Sequence, residues 1–94
     1  MGETIFDALT TARTHGPDLV LPMITSFGAG IMHNTHGLFG PEPTTLGHSG
    51  WGGSMAIADQ RHGLTCAYVM NKQSNILVGD PRAVRLVEAV YDCF

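Results

Sequence analysis

The sequence predicts a single α/β domain of the α+β kind: a helix, three antiparallel strands and a C-terminal helix packed on the sheet. Three observations predict it. Apolar residues recur at helical spacing near both ends of the chain. Two alternating segments flank a short polar loop in the middle. The 94 residues, 44 % hydrophobic and 14 % charged, allow one packed domain, 1–94, and no second.

Thr4 to His15 reads as the first helix, with Ile5, Phe6, Leu9, Ala12 and Arg13 at helical spacing, Thr4 as its cap and Gly16-Pro17 as its stop. Asp18 to Pro22 is a connector. Ser26 to His33 reads as a strand in which Phe27, Ala29, Ile31 and His33 alternate with Gly28, Gly30 and Met32. Glycine weakens a strand unless another element packs close, so the glycine face is expected to meet a helix. Asn34 to Leu46 is a loop rich in Gly, Pro and Thr. Gly47 to Asp59 begins as a glycine-dense stretch and becomes a strand at Ser54–Asp59. Asp59-Gln60-Arg61-His62-Gly63 is a hairpin loop, and Leu64 to Asn71 is the return strand. Both faces of that return strand are largely apolar, which predicts a central, doubly covered strand. The strand near Phe27–Met32 is expected beside this hairpin. Lys72 to Gly79 is a loop. Asp80-Pro81 then opens the clearest helix, with Val84, Val87, Tyr91 and Phe94 on one stripe running to the last residue.

A net charge of −3 without a Lys/Arg cluster argues against a nucleic-acid partner. No apolar run approaches the roughly 20 residues of a membrane helix, so no membrane partner is expected. Met1-Gly2-Glu3 lacks a basic region leading into an apolar core, so no signal peptide is visible. Cys66 and Cys93 read as buried thiols of a reducing compartment, and the expected location is cytoplasmic. The low charge implies that part of the surface is covered by something else.

The most informative segment is Leu46-Gly47-His48-Ser49-Gly50-Trp51-Gly52-Gly53-Ser54, with four glycines in nine residues. Glycines in such density let a backbone approach a ligand and expose N–H groups, though they also suit a plain turn leading into a strand. A nucleophile elbow does not fit: around Ser49 the last glycine is replaced by Trp51, and a strand follows Ser54. Gly28-x-Gly30 opens no helix, which argues against a dinucleotide site. His48 and Ser49 are adjacent on a strand and point to opposite faces, so they make a poor base–nucleophile pair. His33, His36, His48 and His62 lie apart from any Cys or carboxylate cluster, so neither a metal nor another cofactor is expected.

With those residues in view, the chain resembles the C-terminal part of the serine β-lactamase-like hydrolases: class C β-lactamases, D-alanyl-D-alanine carboxypeptidases and related esterases. Thr25-Ser26-Phe27-Gly28-Ala29-Gly30-Ile31-Met32 resembles the family's Phe-Gly-x-Gly strand. Gly47-His48-Ser49-Gly50-Trp51-Gly52-Gly53-Ser54 is similar to its His-x-Gly-x-Gly-Gly segment. Ala58-Asp59, the return strand Gly63 to Asn71 and Asp80-Pro81-Arg82 follow in the family's order. The resemblance covers the chain from about Asp18 onward and the first helix more weakly. It implies that His48-Ser49-Gly50 stands where the family has Lys-Thr-Gly on the strand bordering the active site. It also implies that the Trp51 backbone N–H is an oxyanion-hole donor, a role worth about 3 kcal/mol of transition-state stabilisation.

Two family motifs have no match. Ser-x-x-Lys, which carries the nucleophile, would need a serine three residues before the only lysine, Lys72, where Val69 stands. Tyr-x-Asn is missing too, since Tyr68 and Tyr91 are followed two residues on by Met70 and Cys93. The expectation is a C-terminal segment of a serine hydrolase for ester, amide or lactam substrates, inactive alone. The competing expectation is a non-catalytic fragment that assembles with itself. The expected partner is correspondingly a second copy of the chain or a missing N-terminal portion.

Overall fold

The computed structural model describes residues 1–94. Helix α1 (Glu3–Thr10) precedes strands β1 (Thr14–Pro17), β2 (Ile24–Phe27), β3 (Met32–His33), β4 (Leu46–Ser49), β5 (Met55–Asp59) and β6 (Leu64–Tyr68); helix α2 (Pro81–Tyr91) closes the chain. All six strands form one antiparallel sheet in chain order. The α+β class holds, but six strands replace the expected three.

The difference arises where the chain folds back sooner than alternation suggests. The expected strand Ser26–His33 is the β2–β3 hairpin: Gly28 N–H donates to Ile31 O at 3.0 Å, and only Phe27 pairs with Met32. Gly28 does meet a helix, because a Cβ there would lie 1.9 Å from the Leu9 carbonyl oxygen of α1; Gly30 instead sits exposed in the turn. The glycine-dense segment is likewise a hairpin. β4 pairs with β5 from Leu46↔Ala58 to Ser49↔Met55, around a turn at Gly50–Gly53. β4 therefore stands between β3 and the β5–β6 hairpin, with which the β2–β3 segment does not pair.

The first helix ends at Thr10, not His15, and follows Gly2 with no side-chain cap from Thr4. Thr14–Pro17 pairs instead with Ile24–Phe27. Helix α1 fully buries no residue, so little packing favoured extending it, whereas the ladder satisfies backbone groups directly. β6 also corrects its expectation: it is an edge strand, and Thr65 and Ala67 are exposed. Its second apolar face has no cover within these residues. Of the two cysteines, both free, Cys66 is half-buried and Cys93 exposed rather than buried.

Helix α2 forms as expected. The Asp80 carboxylate accepts from Arg82 N–H at 2.9 Å, Pro81 fills the first turn, and the helix ends at Tyr91 rather than Phe94. It buries Ala83 and Val87 against Met32, Phe39, Met55 and Ile57. Burying a side chain such as Val87 contributes roughly 1.5–3 kcal/mol. On β5, Met55, Ile57 and Asp59 face this core, while Ala56 and Ala58 point to the other face. Helix α1 covers one end of that other face, where His33 Nε2–H donates to Leu9 O at 2.8 Å and Ala29 N–H to Ala8 O at 3.0 Å. No helix is long and apolar enough to cross a membrane.

Candidate active-site wall

β4 carries His48 and Ser49 on its last two positions, with Gly50 and Trp51 in the turn beyond. The ladder with β3 ends at Met32↔Gly47, so on that side His48 and Ser49 lie past the last β3 pair. On the other side they pair with Ala56 and Met55 of β5. His48 is exposed on the face opposite α2 and lies 6.1 Å from the Phe27 ring, centroid to centroid. Its Nδ1–H donates to the Ser49 carbonyl oxygen at 2.8 Å, so the imidazole engages the backbone and not the Ser49 hydroxyl. A groove of about 300 Å³ runs along His48, Ser49, Gly50, Ser54 and Ala56. The largest cavity, about 670 Å³, lies at the other end of β4, around Thr45, Leu46 and Arg61, and contains no base–nucleophile pair.

The turn itself is closed by Gly50 N–H to Ser54 O at 2.9 Å and Gly53 N–H to Gly50 O at 3.3 Å. The Trp51 side chain is 75 % exposed, and its backbone N–H has no acceptor within the chain.

What holds the turn is a set of residues that the sequence placed in a loop, at a helix cap and in the family-like Asp80-Pro81-Arg82, without a role at the site. The Asp80 carboxylate, 5 % exposed, receives Ser74 Oγ–H at 2.9 Å, Arg82 Nη2–H at 2.8 Å and Arg82 Nε–H at 3.1 Å. These hydrogen bonds, with Arg82 first, hold Asp80 far below the ordinary carboxylate range, and Asp80 in turn raises Arg82. Arg82 also donates to Gly52 O at 3.3 Å and to Lys72 O at 2.7 Å; Ser74 N–H reaches Gly52 O at 3.0 Å. The one signal in the sequence was an arginine two residues after a capping aspartate.

A second pair also escaped the sequence reading. Ser26 Oγ–H donates to His33 Nδ1 at 2.9 Å, with the imidazole fixed by its bond to Leu9 O. Seven residues apart on one strand, the two would face opposite ways; the β2–β3 turn brings them together. Ser26 is 5 % exposed, and the nearby Gly28 and Ala29 N–H groups are spent on Ile31 and Ala8, so the pair fastens α1 to the sheet. His33, His36, His48 and His62 do not converge: no three His, Cys, Asp or Glu side chains gather to hold a metal ion.

The antiparallel sheet, the helix covering one face and the clamped glycine turn define the class as a β-lactamase-like α+β unit. The whole chain superposes on 26 % of a penicillin-binding protein homolog from Caulobacter crescentus, with 50 % identity and a TM-score of 0.94. Over 93 % of its length it matches 24 % of a family VIII carboxylesterase, with 39 % identity and a TM-score of 0.88. The β-lactamase family model matches residues 2–90, and the chain belongs to that family. It spans about a quarter of either solved chain. No curated protein matches it.

Proposed function

We propose that the chain is the C-terminal sheet portion of a serine hydrolase that transfers acyl groups from ester, amide or lactam substrates. In this reading His48, Ser49 and Gly50 form the substrate-side strand end, and the Trp51 N–H is an oxyanion donor. The nucleophile of a Ser-x-x-Lys motif lies outside these 94 residues, so the chain alone is inactive. One observation supports the reading: β4 runs past its last β3 pair, Met32↔Gly47, and the Trp51 N–H beyond it meets no acceptor in the chain.

The test places these residues in the carboxylesterase, in place of the segment they match. The hybrid is expected to hydrolyse a p-nitrophenyl ester, and Trp51→Pro, which deletes the N–H, to lower kcat about 10²–10³-fold. The chain alone is expected to show no turnover. A hybrid indifferent to Trp51→Pro, or turnover by the chain alone that is lost in Ser49→Ala or Ser54→Ala, would overturn the reading.

A non-catalytic, self-assembling role is favoured by the open edge of β6 and the exposed Ala67 and Val69 beside Ala56. A second copy covers such an edge by pairing strands across a two-fold axis. Light scattering is expected to give a mass above that of one chain. A sharp 10.0 kDa monomer at micromolar concentration would remove this reading.

A further inference from the structure

We propose that Arg82 is a positioning residue that aims the Trp51 N–H through two peptide planes. The inference rests on the oxyanion role proposed above. In a trans peptide the carbonyl of one residue and the N–H of the next point in opposite directions. All peptide bonds here are trans. Arg82 Nη2–H and Ser74 N–H fix the Gly52 carbonyl at 3.3 and 3.0 Å. The Gly53 N–H of that same plane therefore points away from them, and it donates to the Gly50 carbonyl at 3.3 Å. Gly50 O and the Trp51 N–H belong to the next plane. With the oxygen held inward, the Trp51 N–H is turned outward, where it meets no acceptor in the chain.

The chain of donors and acceptors is thus guanidinium to Gly52 carbonyl, Gly53 N–H to Gly50 carbonyl, and Trp51 N–H to the outside. Hydrogen bonds in series polarise one another, so a cation at the head makes the terminal N–H a better donor. The Trp51 side chain does not aim this amide. The Trp51 ring is 75 % exposed and fastens to no neighbour, so side-chain packing does not set the plane. Asp80 keeps the head of the series in place, because two arginine donors lie on its carboxylate at 2.8 and 3.1 Å. The fork geometry matters as much as the charge. Arg82 spans Asp80, Gly52 O and Lys72 O at once, which a single ammonium cannot do.

The test is nitrogen-15 NMR on the 94-residue chain. Arg82→Ala is expected to speed amide exchange at Gly53 about tenfold or more. It is also expected to move the Gly53 and Trp51 amide resonances while the Ile57 and Val87 amides keep theirs. Arg82→Lys is expected to restore the resonances in part. Unchanged Gly53 exchange and Trp51 resonance in a folded Arg82→Ala chain would overturn the proposal. Should that variant lose its core resonances, Arg82→Gln, which keeps a donor amide without the fork, is judged by the same two readouts. Because the measurement needs no catalysis, it fails independently of the proposed function, which fails instead in the hybrid enzyme.

Discussion

Two aspartates tie helix α2 to two turns of the sheet, and they do it differently. Asp80, at the helix start, holds the Gly50–Gly53 turn through Arg82 and Ser74. Asp59, at the end of β5 and 1 % exposed, receives Tyr91 Oη–H from the helix end, and His62 Nδ1–H at 2.7 Å and His62 N–H at 3.1 Å from its own turn. Both carboxylates lie below their ordinary pKa. At Asp59 burial works against this, and the hydrogen bonds from Tyr91 and His62 outweigh it. At Asp80 the donation from Arg82 comes first and the drop is far larger. Burial, and then donation to Asp59, raises Tyr91. One end of the helix is therefore pinned by a permanent cation and the other by a phenol and an imidazole. The permanent pin stands at the turn proposed to do chemistry, where a fixed geometry has the most value.

The largest expected effect comes from breaking the Asp80 end by shape alone. Gly53 has φ +119°, and a Cβ there would lie 2.2 Å from Asp80 Oδ2. Gly53→Ala therefore adds backbone strain and pushes the carboxylate off Arg82. A loss of about 3 kcal/mol is expected in urea unfolding. A loss below about 1 kcal/mol would show that the turn tolerates movement, and the contrast between the two ends would collapse.

The same contrast marks what the sequence could show. Helix α2 was legible because its signals are local: Asp80 and Pro81 start it, and Val84 and Val87 mark its inner side. The β5–β6 hairpin was legible for the same reason, with alternation on either side of a loop ending in Gly63. The β2–β3 and β4–β5 turns were not. Each is short and glycine-rich, and alternation continues across the first of them, so one long strand and two short ones carry the same pattern. β6 was read as central because apolar residues on both faces say that a strand is to be covered, not what covers it. At the candidate site, His48 to Trp51 stood out because their glycine spacing is unusual and family-like. Ser74, Arg82 and Gly52 meet only through the fold, across separations of up to thirty residues that no local pattern reports.

The smaller effect is a difference in acid response between the two ends. A carboxylate depressed in the folded state adds stability above its unfolded pKa of about 4, and that stability drains as pH falls toward the folded value. Below about pH 4 the unfolded chain takes up the proton first, so the slope has the sign of acid destabilisation. For Asp59 the drop is modest, and its contact with Tyr91 is expected to fade early in an acid titration. For Asp80 the drop is far larger, so the Gly50–Gly53 turn is expected to outlast it. The readouts are the Tyr91 ring resonances and Gly53 amide exchange, followed from neutral pH to about pH 2. Tyr91→Phe sharpens the comparison. It removes one donor to Asp59 and is expected to cost about 1–2 kcal/mol at pH 7. Without that donor the folded Asp59 pKa moves back up, so the cost should shrink as the pH falls below about 4. Gly53 exchange in this variant should follow the wild-type curve. If Gly53 protection were lost before the Tyr91 contact, the arginine clamp would be the weaker of the two, and the permanent charge at Arg82 would not be what sets the ends apart.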